Sequence, residues 1–269
     1  MFRTSMAISP TPAEFAPLLF AGDWKGALDA AADLGYDAIE MSVRDPADPA
    51  VVSCDAEARR RDIRVSAIAT GQSFYSDGWS LTADDPGIQT LLEQRMRRII
   101  DLAAPWEALV VIGGVRGTLS GSDGERVDQY RRALEAVRRY AEYALTLNVS
   151  LAVEPINRYE TNYLNTIRET LQFVGNVGLS NVGILPDTFH MNIEEVSLAE
   201  SLRSAGKLIL HTQFTDSNRL AAGQGHVDFR VLAGVLRELD YSGYLSAEIL
   251  PHPDSRTAAQ QAIEFFRNL

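Results

Sequence analysis

The sequence predicts a (β/α)8 TIM barrel occupying residues 1–269 as a single domain. Three observations carry that expectation. Eight short β-rich runs alternate strictly with helical patterns. Several of those runs are nearly continuous apolar stretches, as parallel strands covered on both faces are. The length, 269 residues, suits one barrel rather than two small domains. A doubly wound sheet is the alternative. The eight repeats and the lack of a glycine-rich dinucleotide fingerprint count against it.

Taken in chain order, the strand runs are SMAIS, DAIEMSV, VSAIAT, ALVVIG, SLAVEP, VGILPD, LILHTQF and YLSAEIL. The helical segments between and after them are DWKGALDAAADLG, DAEARRRD, PGIQTLLEQRMRRIIDLAA, GERVDQYRRALEAVRRYAEYALTL, TIRETLQFVGNV, SLAESLRSAG, DFRVLAGVLRELD and SRTAAQQAIEFFRNL. Gly35, Asn148 and Gly206 follow helical patterns, where a left-handed stop residue is favoured. Residues 71–86 and 116–124 are the longest irregular stretches. Both follow strands, so both fall on the catalytic face as lid candidates. Phe74, Tyr75 and Trp79 lie in the first, suited to covering a ligand or to packing on another subunit. Arg131, Arg132, Arg138 and Arg139 share helical spacing and read as a solvated outer face.

A net charge of −11 repels phosphate backbones and argues against nucleic acid as a partner. Cys54 is the only cysteine, so no internal disulfide forms, and it reads as an ordinary reduced thiol. No run approaches the roughly 18 apolar residues of a membrane span. The first residues, MFRTSMAISPTPAEF, lack the apolar centre of a secretory leader. A cytoplasmic protein without membrane contact is the expectation.

In a barrel of this kind, chemistry sits where strands end. The last four strand runs end in Glu154, Asp187, His211-Thr212-Gln213 and Glu248. A carboxylate at the end of an apolar strand is expensive to bury unless it is paired, hydrogen-bonded or metal-bound. Three in one ring repel each other unless a cation lies between them. The donor set of Glu154, Asp187, Gln213 and Glu248 is oxygen-rich, which suits a hard divalent metal, Mn2+ or Mg2+, better than Zn2+.

The runs EPINRYETNYLNT, ILPDTFHMNIEE, FTDSNR with GQGHVDF behind it, and AEIL carry a family resemblance. The chain resembles the xylose-isomerase-like sugar epimerases, the group of ketose 3-epimerases such as D-tagatose 3-epimerase. The likeness spans nearly the whole chain. The runs AISPTPAEF, VRDP, AIATGQSFYSDGWSLT and VVIGGVRG are most similar to 5-keto-L-gluconate epimerases within that group. The resemblance implies metal-ligand positions at Glu154, Asp187 and Glu248, and catalytic acid/base positions at Glu154 and Glu248. It places His190, Arg219 and Glu160 on substrate-contacting positions, and it leaves a homo-oligomer as an open expectation. One departure stands out. The family pattern His-x-His has its second, metal-binding histidine replaced here by Gln213, as in the similar hydroxypyruvate isomerases. A neutral amide oxygen is a weaker donor, so looser metal binding is expected.

The chemistry implied is inversion of a carbon beside a ketone. A divalent ion acidifies the C–H and stabilises the enediolate. Two carboxylates remove a proton from one face and return one to the other. Strands five and eight lie three apart in an eight-strand ring, so Glu154 and Glu248 can face each other across a substrate. The substrate expected is a small keto-sugar or keto-sugar acid. Arg116, at the end of the fourth strand, is the residue placed to meet a substrate carboxylate, with an ion pair to a loop acid as the alternative. Three rivals remain: an aldose–ketose isomerase, a nuclease sharing the barrel, and a silent sugar-binding barrel. A chain with four histidines and this acidity suits the nuclease poorly.

Overall fold

A computed structural model describes residues 2–13 and 17–269. The end of the AISPTPAEF run therefore lies outside the described residues. The ladder order is β6-β5-β4-β3-β2-β1-β8-β7, and all pairings are parallel. The strands are β1 (Arg3–Ile8), β2 (Ala38–Ser42), β3 (Arg64–Ala69), β4 (Leu109–Ile112), β5 (Leu151–Val153), β6 (Val182–Ile184), β7 (Thr212–Gln213) and β8 (Tyr244–Ala247). The two ends of this order meet. Parallel bridges join Ile184 to Ile209 and Asp187 to Gln213, and Leu210 and Gln213 donate their N–H groups to Ile184 and Pro186, both at 3.0 Å. The predicted barrel is closed.

The α-helices among the described residues are α1 (Trp24–Leu34), α2 (Pro49–Arg60), α3 (Gln72–Tyr75), α4 (Pro86–Ala103), α5 (Asp123–Thr146), α6 (Ile167–Val177), α7 (Thr188–Glu194), α8 (Leu198–Ala205), α9 (Phe229–Glu238) and α10 (Ser255–Phe266). Local chemistry starts them. Asp48 and Asp85 cap α2 and α4, each followed by proline at the first helical position. Ser122–Glu125 and Thr166–Glu169 form complete capping boxes. The apolar stripes of these helices pack on the outward side chains of the strands, such as Ile39, Met41, Ile68, Val110 and Val153. Inside the ring, Ala67, Val111, Ala152 and Leu185 form a small separate apolar plug.

Three sequence expectations are corrected. The run LILHTQF forms a strand only at Thr212–Gln213, because the β6–β7 seam is held partly by a side chain. Thr188 Oγ1 accepts from Thr215 N–H at 2.8 Å and reaches the Thr215 carbonyl at 2.7 Å, which replaces ladder bonds. The second helix starts at Pro49, well before DAEARRRD, and Cys54 sits on its buried face. The arginines of α5 are not simply solvated. Arg132 bonds Thr82 O at 3.0 Å and Asp84 at 2.9 Å, and Arg138 bonds the C-terminal carbonyls of α6.

No helix among the described residues is long and apolar enough to cross a membrane.

Candidate active site

At the C-terminal mouth of the barrel lies a cleft. Glu154, Glu160, His190, Arg219, Glu248 and Tyr75 line it. Glu154 follows β5 directly and its N–H donates to Ile112 O at 3.1 Å. Glu248 follows β8, three strands away around the ring through β6 and β7. Both acids therefore reach the same cleft from separate positions on the rim.

Asp187 caps α7 by accepting from Phe189 N–H at 2.8 Å through Oδ1. Its other oxygen, Oδ2, is buried with no hydrogen-bond partner among the described residues. Gln213 is in the same condition: its amide nitrogen donates to Glu40 at 2.9 Å, and Oε1 has no partner. Asp187 and Gln213 are bridged backbone to backbone, so the two unpartnered oxygens belong to neighbouring residues. Two buried acceptors with no donor fit a cation, since leaving such atoms empty is costly. Ligand atoms of Glu154, Asp187 and His190 also lie within 4.8 Å of one another.

His190 has a different role from the acids around it. Asn157 Nδ2 contacts its Nδ1 at 2.7 Å, and the Asn157 N–H points at the same atom at 3.4 Å. The Asn157 amide cannot flip. Its Nδ2 also donates to Glu160 at 3.0 Å, and its Oδ1 accepts from Tyr159 N–H at 2.9 Å. Nδ1 is therefore the acceptor and the ring proton sits on Nε2. Burial, with Arg219 and Arg116 nearby, pushes the His190 pKa well below its ordinary value, so the ring is neutral. Nε2 lies 3.6 Å from both Glu154 and Asp187. A protonated Nε2 donates a hydrogen bond and does not ligate metal, which separates His190 from the oxygen ligands.

Burial dominates the acids' titration. It raises Glu154 well above the carboxylate range, and repulsion from Glu248 and Asp187 adds to the rise. It raises Asp187 to about 7 and Glu248 to about 8, in each case against the opposing charge of Arg219. Arg219 spans the group. It bonds Glu160 at 3.0 Å, reaches Glu248 at 3.5 Å and lies over the Phe189 ring at 4.6 Å. Its backbone is left-handed, φ 63°, an uncommon state for arginine.

Asp216 holds that conformation. It is fully buried and accepts from the N–H groups of Ser217, Gly223 and Val227 at 2.7, 2.8 and 3.2 Å. This explains the motif FTDSNR followed by GQGHVDF, in which the acid organises the loop carrying Arg219. Asp216→Ala is expected to destabilise the fold by about 3 kcal/mol, because several buried donors lose their acceptor. Urea denaturation checks it, and a loss under about 1 kcal/mol would show that the loop holds itself.

Arg116 does not line the cleft. It is 2% exposed, donates to Leu164 O at 3.1 Å and lies 5.4 Å from the Tyr163 ring centroid. Its Nε and Nη2 have no partner among the described residues, and its charge opposes the rise in the Glu154 pKa. Of the aromatic lid candidates, Tyr75 alone lines the cleft, with its hydroxyl 3.3 Å from Glu160. Trp79 packs elsewhere, under Arg95 at 3.9 Å, while Arg95 also clamps Asp77 at 2.6 Å.

Sequence reading missed Glu40, Asn157, Asp216 and Gly113. The first three are polar residues that act on other site residues, which no spacing reveals. Gly113 is a contact made by absence: a Cβ there would overlap Glu154 Oε2. Gly113→Ala is expected to displace that carboxylate and lower kcat about 100-fold. Steady-state kinetics alongside Tm checks this, and an unchanged kcat would mean that Glu154 moves aside harmlessly.

A closed parallel barrel with buried acids at its mouth is the frame of a small-molecule enzyme. The sequence profile of the xylose isomerase-like TIM barrel family matches residues 28–269, and the chain belongs to that family. It is 31% identical to an L-ribulose 3-epimerase of Methylomonas sp. (strain DH-1) over 237 residues, 86% of this chain and 82% of that one. It is 29% identical to a D-psicose 3-epimerase of Agrobacterium fabrum over 82% of this chain and 77% of that one. A crystal structure of D-allulose 3-epimerase from Methylomonas sp. with D-allulose superposes with a TM-score of 0.82 at 24% identity, covering 100% of this chain and 98% of that chain. That structural likeness bears on the fold.

Proposed function

We propose that the whole chain acts as one catalytic unit that inverts a carbon beside the ketone of a keto-sugar or keto-sugar acid, with Mn2+ or Mg2+ as cofactor. The observation that carries this is the pair of unpartnered buried oxygens, Asp187 Oδ2 and Gln213 Oε1, on bridged residues, with Asp187 within 4.8 Å of Glu154 and close enough to Glu248 to raise its pKa. Glu154, Asp187, Gln213 and Glu248 would hold the ion. When bound, the ion supplies Lewis-acid stabilisation of the substrate's enediolate.

Glu154 and Glu248 move the proton. One removes it from the carbon, and the other delivers a proton to the opposite face. His190 donates Nε2–H to a substrate oxygen, its proton held in place by Asn157. Arg219 and Glu160 form a hydrogen-bonded pair that positions substrate hydroxyls, and Tyr75 closes the cleft over them. The relatives named as an L-ribulose 3-epimerase and a D-psicose 3-epimerase support this substrate class. The charge of −11 and the lone reduced cysteine support action on a small molecule in the cytoplasm, away from nucleic acid.

Gln213 favours a second reading, aldose–ketose isomerisation by the same acids. Reaction of ketoses and keto-sugar acids in deuterated water, followed by NMR, separates the two. Label at one inverted carbon supports the epimerase, and a carbonyl that migrates supports the isomerase. Failure of every keto-sugar to exchange a proton in the presence of Mn2+ would end the proposal.

A further inference from the structure

Barrel interiors of this fold are filled mainly by branched apolar side chains. Glu40 breaks that pattern. It lies within β2 between outward Ile39 and Met41, and it is 0% exposed. A carboxylate so placed needs donors, and three converge on it. His211 Nε2 lies at 3.0 Å, Gln213 Nε2 at 2.9 Å and Ser246 Oγ at 2.7 Å. The first and third meet Oε2, and Gln213 alone meets Oε1.

Each carboxylate oxygen of Glu40 serves as an acceptor, Oε2 for His211 and Ser246 and Oε1 for the Gln213 amide nitrogen. The NH2 end of Gln213 must therefore face Glu40, and the planar amide sends Oε1 the other way. That oxygen is the one with no partner, and Asp187, bridged to Gln213 backbone to backbone, has Oδ2 in the same state. Amide ends are nearly equal in shape. Without a partner that tells them apart, the side chain turns over and offers two N–H groups where a cation needs an oxygen.

We propose that Glu40 is a positioning residue that locks the Gln213 amide with Oε1 toward the divalent ion, so that a neutral side chain serves as a ligand. This rests on the reading that the cluster holds such an ion. It extends that reading to a residue that touches neither ion nor substrate, as partners of metal ligands commonly do.

The test is Glu40→Gln, which keeps shape but can present either end of its own amide. Mn2+ binding by calorimetry is expected to weaken about 10- to 100-fold. In a Gln213→Ala background the same change is expected to alter Mn2+ affinity less than about threefold, because Glu40 then has no ligand to orient. Tm in chelator checks that both variants fold. Mn2+ affinity unchanged in Glu40→Gln would overturn the lock, and so would a loss that persists undiminished in the Gln213→Ala background. If the unmutated protein binds no Mn2+ at all, the metal reading itself falls. A second measurement needs no Glu40 variant. In protein labelled with 15N-glutamine, the Gln213 side-chain amide, assigned against Gln213→Ala, is expected to shift on addition of Mg2+. An unmoved signal under saturating Mg2+ would equally overturn the proposal.

Discussion

Glu248→Gln is expected to lower kcat by about 1,000-fold or more while the protein stays folded. Glutamine matches the shape of the acid and keeps an oxygen for Arg219, which lies 3.5 Å from Glu248 Oε2. It removes the group that takes or gives the proton. Burial holds the Glu248 pKa up at about 8, which favours the protonated form of the metal-free side chain. Glu154 is raised by the same cause and by repulsion from Glu248 and Asp187. Two acids whose environments favour protonation suit a pair that exchanges roles in the two reaction directions. Each single variant therefore has its own signature. Glu248→Gln keeps slow solvent exchange of the epimer whose C–H faces Glu154, and Glu154→Gln keeps the converse. Neither inverts the carbon. Deuterium incorporation into each epimer, measured separately, decides the matter, and a Glu248→Gln variant within about tenfold of the unmutated kcat would remove Glu248 from the proton path.

Chelation of divalent ions is expected to abolish turnover and to leave a protein whose Tm falls as pH rises from 5 to 8, by on the order of 10 °C. The sign follows from the direction of the shifts. Asp187 moves from 3.8 up to about 7 and Glu248 from 4.5 up to about 8. Between those limits the folded chain holds protons that the unfolded chain has released, so stability is greatest at the acid end and is lost toward pH 8. An ion among the carboxylates replaces those protons. Saturating Mn2+ is accordingly expected to flatten the profile and to release protons on binding near pH 6. Asp187→Asn keeps the α7 cap through its amide oxygen and is expected to make the chelated profile shallower. Scanning calorimetry in chelator across this range checks all three points. A chelated Tm that rises toward pH 8 would mean that the acids are ionised in the folded chain without any cation.

Much of this was legible from residues alone. The alternation of apolar runs with amphipathic segments is a local property, and it announced the barrel, the strand ends and the acids at positions 154, 187 and 248. Capping signals such as Ser122–Glu125 are equally local. The positions that failed to show are those whose meaning depends on another strand. The seven-residue run LILHTQF shortens to a two-residue strand because Thr188, on a different βα unit, supplies bonds of the seam. Arg116 sits at a strand end like the acids, yet its guanidinium turns to Leu164 O and away from the cleft wall.

The chain order by itself determined which residue types stand at the mouth of the ring, because a strand of fixed period ends where its apolar run ends. Only the closed tertiary structure decided what those residues do to each other. Glu40 and Gln213 are 173 positions apart, and a 2.9 Å hydrogen bond between them fixes which end of an amide is left without a partner. Asn157 likewise fixes the proton on His190 from 33 positions away. Orientation of a planar group and the placement of a proton are set by partners brought together when the ring closes, and sequence spacing carries no record of them.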